Sequence, residues 1–226
     1  MTTIEGNLQR VRERIVSACA AAGRPVTDVT LLAVSKTFGP DAVTKAFSCG
    51  QHAFGENYIQ EAVEKIALLS ELAIEWHCIG PIQSNKTRLV AANFDWVHTV
   101  DRLKTAQRLS EQRPENLPPL NVCIQVNVDA GATKSGIAPD QVVALANEIQ
   151  QLPRMRLRGL MTIPEPAADF EAQMAVHLKA KSLFDELRGR GIDLDTLSMG
   201  MTGDLEAAIA AGSTMVRVGT AIFGSR

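Results

Sequence analysis

The sequence predicts a (β/α)8 barrel of the TIM type, a single domain that covers residues 1–226. Short β-branched or apolar runs alternate with longer segments of helical period, a pattern typical of parallel βαβ units. Eight such runs follow one another with seven full helical segments between them. The alternative is a doubly wound open sheet, but no G-x-G-x-x-G turn is present to favour it.

The eight strands are recognised as apolar runs that end in glycine, proline or polar residues. In chain order they are predicted at 30–34, 52–55, 75–79, 95–100, 121–128, 156–163, 196–199 and 215–218. Segments of helical period lie between them, at 41–49, 57–69, 84–92, 102–112, 139–151, 169–190 and 205–211. Pro139 is a favourable first-turn residue for its helix, whereas Pro164 and Pro166 end the sixth strand.

An additional helix precedes the first strand. Ile4, Leu8, Val11 and Ile15 fall on one face of the segment 4–22, and Gly23 follows as a C-cap. The last strand, by contrast, has no helix of normal length after it. We infer that the N-terminal helix covers part of the outer ring that a full eighth helix would cover.

Composition excludes several classes of function. Hydrophobic residues make up 46% of the chain, charged residues 21%, and the net charge is -2, so neither nucleic acid nor a membrane surface is an expected partner. The four cysteines form no CxxC pair, and no cluster has metal-ligand spacing. The first residues lack the features of a signal peptide, so we expect a cytoplasmic protein.

In a barrel of this kind, function lies at the carboxyl ends of the strands. Polar side chains with small neighbours gather at that edge in six of the eight predicted strands. The candidates delivered there are Lys36, Asn57, Tyr58, His77, Met161, Ser198, Met199, Gly200, Thr202, Arg217, Gly219 and Thr220.

The loop after strand seven has the composition of a phosphate site. Ser198-Met199-Gly200-Met201-Thr202-Gly203 runs directly into a helix and combines two glycines with two hydroxyls. Gly219-Thr220 adds a second such pair in the next loop. The alternative is a plain strand-to-helix turn with Thr202 or Asp204 as N-cap.

Lys36 follows a fully apolar strand, and barrel closure makes strands one and eight neighbours. We therefore expect its amine to be desolvated near the phosphate loops, where it could form an imine with a phosphorylated aldehyde. Arg217 faces the same mouth if Val216 and Val218 face away. The alternatives are a solvated surface lysine and, for Arg217, a salt bridge with Glu56 or Asp204.

Three further candidates are weaker. His77 could equally be a hydrogen-bonded core residue, and Tyr58 could stack on a ring or only cap the barrel. Lys134, in the fifth loop, is expected to be solvated but could reach the mouth.

Several segments together resemble the YggS/PROSC family of pyridoxal-phosphate homeostasis proteins. They lie in family order, as LLAVSKT (31–37), FGENY (54–58), WHCIG (76–80), QSNK (83–86), RGLM (158–161), LSMGM (197–201) and VRVGTAIFG (216–224). The resemblance implies a barrel like the N-terminal domain of alanine racemase (fold type III) and pyridoxal 5'-phosphate (PLP) as cofactor.

The resemblance also implies the roles of individual residues. Lys36 would carry PLP as a Schiff base, Arg217 would face the pyridine nitrogen, and Asn57 would lie near the ring. Ser198, Thr202, Gly219 and Thr220 would hold the phosphate. The sequence departs from the family at Thr202, where a serine is more usual, so we expect a small change in fit.

Two functions that use PLP remain open on the sequence, whereas a phosphate-binding barrel enzyme without pyridoxal would need another explanation for Lys36 and Arg217 at one mouth. The first is a carrier that stores, buffers or hands on PLP, with transient contact to apo PLP-dependent enzymes. The second is a small amino-acid racemase, which would need a second base opposite Lys36. The only tyrosine, Tyr58, lies in the second loop, so we favour the carrier. We also expect a monomer without significant catalysis.

Overall fold

The structure is a computed structural model that describes residues 3–129 and 135–224. Eight parallel strands form a closed barrel in chain order, as predicted. They are β1 (Thr30–Val34), β2 (Ala53–Glu56), β3 (Glu75–Cys78), β4 (Trp96–Val100), β5 (Leu120–Gln125), β6 (Met155–Met161), β7 (Thr196–Ser198) and β8 (Met215–Val218). Closure comes from β1 and β8, where Leu31 lies opposite Val216 and Leu32 opposite Arg217.

Helices cover the outside of the barrel. They are α1 (Ile4–Ala21), α2 (Pro40–Ser48), α3 (Ile59–Leu68), α4 (Thr87–Asn93), α5 (Leu103–Gln112), α6 (Val142–Gln150), α7 (Phe170–Gly189), α8 (Leu205–Ala210) and α9 (Thr220–Phe223). Short 3-10 turns at Ser84–Lys86 and Pro139–Gln141 lead into α4 and α6, where the sequence predicted continuous helix. Sequence reasoning missed α9, because a single turn carries no detectable periodicity.

The additional N-terminal helix lies where it was expected. The Thr3 hydroxyl accepts a hydrogen bond from the Gly6 N–H at 3.1 Å and caps α1. The buried face of α1 packs against α2, α8 and α9. The Asn7 side chain donates to the Ile222 carbonyl at 2.8 Å, which ties α1 to α9. The helix α1 therefore lies in the outer ring, beside α2, α8 and α9.

Most of the core lies between the strands and the helices, and a smaller part fills the barrel interior. One close approach in this packing requires glycine, because a Cβ at Gly159 would lie 1.6 Å from the Thr196 carbonyl oxygen. Over residues 3–129 and 135–224, no helix has the length and apolar character needed to cross a membrane. The same residues contain no group of histidine, cysteine and carboxylate side chains that could hold a metal.

Candidate functional site

A cavity of about 570 Å³ opens at the carboxyl ends of the strands. Six of the predicted site residues line it together, namely Lys36, Asn57, Thr202, Arg217, Gly219 and Thr220. They come from the ends of β1, β2, β7 and β8, so barrel closure brings together residues that are up to 184 positions apart in the chain (220 − 36). The cavity is therefore the candidate site.

Lys36 stands at the mouth of this cavity. Lys36 is exposed to solvent, so the desolvation of its amine that the sequence led us to expect is not found. The reason is that the apolar strand ends at Val34 and the cavity above it is open. The Lys36 amine makes no hydrogen bond or ion pair with any residue that the structure describes. The amine is accessible and unpaired on the side where a ligand would enter.

The backbone on both sides of Lys36 is held firmly. Thr37 has φ of 67°, a left-handed conformation that is costly for a β-branched residue. Its N–H donates to the Glu61 carboxylate at 2.9 Å. On the other side, the Ser35 hydroxyl donates to Glu56 at 2.6 Å and the Ser35 carbonyl accepts from Lys65 at 3.1 Å. These contacts fix where the Lys36 side chain begins.

Arg217 is buried but reaches the cavity wall. One terminal nitrogen donates to the Ser198 hydroxyl at 2.9 Å and the other donates to the Thr162 carbonyl at 2.8 Å. Burial lowers the pKa of the Arg217 guanidinium to about 10, which still leaves it charged at neutral pH. Val216 and Val218 lie in the outer core, as the alternation of β8 predicted.

The salt bridges considered as alternatives for Arg217 are not formed. Glu56 pairs with Lys65 at 2.7 Å, and Asp204 accepts from His177 and from the Met201 N–H. No carboxylate in the described part of the chain lies within ion-pair distance of Arg217. A buried guanidinium without a paired carboxylate, beside a cavity, is set up to receive an acceptor from a ligand.

The loop from Met201 to Asp204 offers donors to the cavity. No backbone or side-chain acceptor among the described residues takes the N–H of Thr202 or of Gly203. Asp204 holds the loop from behind by accepting from the Met201 N–H at 2.6 Å. Burial alone would raise the pKa of Asp204, but hydrogen bonds from His177 and Met201 lower it, so the carboxylate stays ionised.

The facing loop is shaped by close approach. A Cβ at Gly219 would lie 3.2 Å from the Val34 carbonyl oxygen and 3.3 Å from Val34 Cβ, so glycine lets β8 pass tightly over the end of β1. Thr220 follows and lines the cavity next to it. The two threonine-containing loops thus approach the same space from β7 and β8.

Three predicted residues of the strand-seven loop lie elsewhere. The Ser198 hydroxyl is in the barrel interior, where it accepts from Arg217 and contacts His98 at 2.9 Å. Met199 is buried in the outer core. Gly200 has φ of 93°, and a Cβ there would lie 2.4 Å from Ala208 Cβ, so it serves the turn into α8. None of the three lines the cavity.

The remaining candidates differ in position. Asn57 lines the cavity, and its Oδ1 atom is buried without a partner in the described residues. Tyr58 is 56% exposed and does not line the cavity. His77 is fully buried in the interior, and Met161 packs with Trp96 and Cys123. Lys134 lies outside the described residues.

Sequence reasoning missed the apolar part of the cavity wall. Phe38, Ile79, Ile163 and Met201 line it, and the Phe38 ring stacks on Phe223 at 5.2 Å. The available signal was position, because each of them follows or ends a predicted strand. Apolar residues at strand ends are too common to stand out.

The family model described as the alanine racemase N-terminal domain matches residues 6–226. The chain belongs to this family. Relatives named pyridoxal phosphate homeostasis protein include one from Pseudomonas aeruginosa, 58% identical over 226 residues, covering 100% of this chain and 97% of the relative. Another, from Escherichia coli K12, is 52% identical over 229 residues and covers 100% of this chain and 98% of its own. These relatives are named as homeostasis proteins and not as enzymes.

Several solved structures have a similar fold. PipY of Synechococcus elongatus PCC7942, solved with PLP bound, has a TM-score of 0.82 and 35% identity, covering 93% of this chain and 100% of that chain. An unknown protein from Bifidobacterium adolescentis has a TM-score of 0.89 and 34% identity, covering 97% of this chain and 94% of that chain. An alanine racemase of Clostridium difficile 630, at 17% identity and a TM-score of 0.73, covers 95% of this chain and 56% of that chain and shows the fold alone.

Proposed function

We propose that this protein binds PLP at the cavity and serves in PLP homeostasis, by storing, buffering or handing on the cofactor. The observation that carries the proposal is that Lys36 and Arg217 line the same cavity. Among the described residues, the Lys36 amine has no hydrogen-bond or ion-pair partner, and Arg217 has no carboxylate partner. The names of the full-length relatives and the PLP-bound PipY structure support it.

The donor set suits such a cofactor. PLP would supply an aldehyde, with which the Lys36 amine forms a Schiff base and releases water. The guanidinium of Arg217 can only donate, so it would keep a facing ring nitrogen unprotonated and weaken the ring as an electron sink. Asn57 has an unsatisfied buried oxygen on the same wall.

The phosphate is proposed to lie between the two threonine-containing loops. Thr202 and Thr220 offer hydroxyls, Thr202 and Gly203 offer unused N–H groups, and Gly219 allows close approach. The α8 helix is only six residues long, so these local donors, and not a helix dipole, would hold the anion. Because Ser198 does not line the cavity and its hydroxyl accepts from Arg217, we assign that hydroxyl to Arg217 and not to the phosphate.

We further propose that the protein is a carrier and not a racemase. Racemisation needs a second base that moves the α-proton on the face opposite Lys36. Of the described residues that line the cavity, only Lys36 and Arg217 have basic side chains. Tyr58, the only tyrosine in the sequence, is 56% exposed and does not line the cavity. The carrier is proposed to be cytoplasmic and monomeric, to transfer PLP to apo-enzymes, and to use neither nucleic acid nor membrane.

Spectroscopic titration tests the binding proposal. PLP added to the wild-type protein should give a yellow species with Schiff-base absorbance, and Lys36→Ala should lose it. Lys45→Ala is the matched control, because Lys45 is an exposed lysine on α2 outside the cavity. A wild-type protein that stays colourless, or a Lys36→Ala variant that colours like the control, would contradict the proposal.

A separate experiment distinguishes carrier from racemase. The PLP-loaded protein is incubated with L-alanine and other L-amino acids in deuterated water. The carrier proposal predicts no build-up of the D-isomer, whereas rapid α-proton exchange with the D-isomer appearing would establish the racemase.

A further inference from the structure

A row of polar side chains, buried except at Glu75, crosses the barrel interior from Arg217 to Glu75. Arg217 Nη1 lies 2.9 Å from Ser198 Oγ, and Ser198 Oγ lies 2.9 Å from His98 Nδ1. His98 Nε2 lies 2.9 Å from His77 Nδ1, and His77 Nε2 lies 2.8 Å from Glu75 Oε1. Arg217 lines the cavity at one end of the barrel, whereas Glu75 lines an opening at the other end.

The middle of this row is fully buried. Ser198, His77 and His98 are each 0% exposed. Burial lowers the pKa of His77 and, more strongly, that of His98, so both rings are neutral at physiological pH. A neutral imidazole has one nitrogen that donates and one that accepts.

These constraints fix the direction of every hydrogen bond. The hydrogen bond from His77 lowers the pKa of Glu75, and the partial burial of Glu75 opposes this only in part, so its carboxylate is ionised and only accepts. His77 must therefore donate from Nε2 and accept at Nδ1. His98 then donates from Nε2 to His77 and accepts at Nδ1.

The direction of the hydrogen bonds continues as far as the cavity. Because His98 Nδ1 accepts, the Ser198 hydroxyl must donate to it. The lone pairs of that hydroxyl are then free to accept from Arg217, which is the bond observed. All donors point from Arg217 toward Glu75, and no member of the row competes with its neighbour.

We propose that Ser198, His98, His77 and Glu75 form a one-directional hydrogen-bonded chain that positions Arg217 for the ligand in the cavity. The chain places an acceptor against the guanidinium and ends in a carboxylate at the opposite mouth of the barrel. His98, His77 and Glu75 are thus positioning residues, which touch no ligand themselves. For its effect on PLP, the proposal rests on the function proposed above.

The arrangement explains how a buried guanidinium can lack a paired carboxylate. Ser198 and the Thr162 carbonyl occupy two of its five N–H donors, and no other described residue accepts from Arg217. An adjacent carboxylate would compete for those donors. With the negative charge at the far end of the chain, Arg217 is oriented and partly compensated without being neutralised at the site.

The first test is made on the protein without PLP. Nitrogen-15 NMR of histidine rings distinguishes the Nδ1–H, Nε2–H and doubly protonated forms. We expect both His77 and His98 to be neutral Nε2–H tautomers at neutral pH. Either ring found as the Nδ1–H tautomer, or protonated, would overturn the proposed direction.

The second test breaks the chain. His98→Gln keeps one donor and one acceptor, whereas His98→Leu keeps neither. We expect His98→Leu to weaken PLP binding about tenfold, the effect of one hydrogen bond to a charged group, and to shift the bound absorbance maximum. His98→Gln should stay within about threefold of the wild type. Equal affinity and spectra for all three folded proteins would overturn the positioning role.

Glu75→Gln keeps the proposal testable if His98→Leu does not fold. Glu75 is half-exposed and remote from the cavity, so the substitution should be tolerated. An amide can donate as well as accept, so we expect the His77 tautomer signals of this variant to shift toward a mixture. Unchanged His77 signals would count against the chain. Because the NMR tests need no PLP, they succeed or fail independently of the proposed function.

Discussion

Lys65 Nζ lies 2.7 Å from Glu56 Oε1, and both side chains are almost completely buried, at 3% and 0% exposed. The pair holds the backbone before Lys36, because Lys65 donates to the Ser35 carbonyl and Ser35 donates to Glu56. Burial raises the pKa of the Glu56 carboxyl, an effect larger than the opposing attraction of Lys65. The backbone that leads to Lys36 is thus held by an ion pair that is costly to bury.

Lys65→Met is expected to lower the free energy of unfolding by about 3–5 kcal/mol, because it leaves the buried Glu56 without its partner. The measurement is urea denaturation. The exposed Lys104→Met on α5 is the control and should change stability by less than about 0.5 kcal/mol. A Lys65 variant as stable as the control would show that the Lys65–Glu56 pair does not stabilise the fold.

Gly159→Ala is expected to destabilise the barrel strongly, because its Cβ would lie 1.6 Å from the Thr196 carbonyl oxygen and force β6 from β7. We expect a loss of at least about 3 kcal/mol or failure to fold. Gly189→Ala, at the end of α7, has nothing within 4 Å of its Cβ and should be neutral or slightly stabilising. Similar melting temperatures for the two variants would contradict the close approach.

Asp204→Asn tests the support of the Met201–Asp204 loop as a function of pH. The folded-state pKa of Asp204 is lowered, so its ionised form stabilises the fold above the unfolded pKa, near 4, and that contribution is lost as the pH falls through the folded value. The stability difference between wild type and variant should be about 1–3 kcal/mol at pH 5 and above and should shrink in more acidic solution.

Urea unfolding at a series of pH values measures this difference. Asp193→Asn is the control, because that side chain is 95% exposed. A difference for Asp204→Asn that is independent of pH down to the acid limit would contradict the ionised hydrogen-bonded carboxylate.

Thr202→Val tests the proposed phosphate contact. It removes the hydroxyl at nearly constant volume and should weaken PLP binding about tenfold, whereas Thr202→Ser should bind like the wild type. Pyridoxal, which lacks the phosphate, provides the control within each variant, since its affinity should not change. An equal loss for both ligands would place the effect of Thr202 elsewhere than at the phosphate.

The barrel was predictable because its signals are local and repeated. Each strand is an apolar run closed by glycine, proline or polar residues, and strand order in a barrel follows chain order, so Lys36 and Arg217 could be placed at one mouth. Boundaries were less predictable. The fifth strand was extended to 128, but the ladder ends at Gln125, after which Val126 forms only an isolated bridge with Ile137.

Within the site, what could not be predicted depends on side-chain direction. Ser198 and Thr202 lie four positions apart with similar chemistry, yet the Ser198 hydroxyl is in the interior whereas Thr202 lines the cavity. His98 gave no signal, because in sequence it is one polar residue in the buried strand Trp96–Val100. Only the closed barrel shows that it meets His77, from the adjacent strand, and Ser198, from across the interior.

The central claim is that Lys36 is the residue that carries PLP. The most direct measurement is borohydride reduction of the PLP-loaded protein followed by proteolysis and mass mapping of the pyridoxyl group. The structure predicts the group on the peptide that contains Lys36, at close to one per chain. A loaded protein whose pyridoxyl group maps to another lysine, or is spread over surface lysines, would contradict the claim.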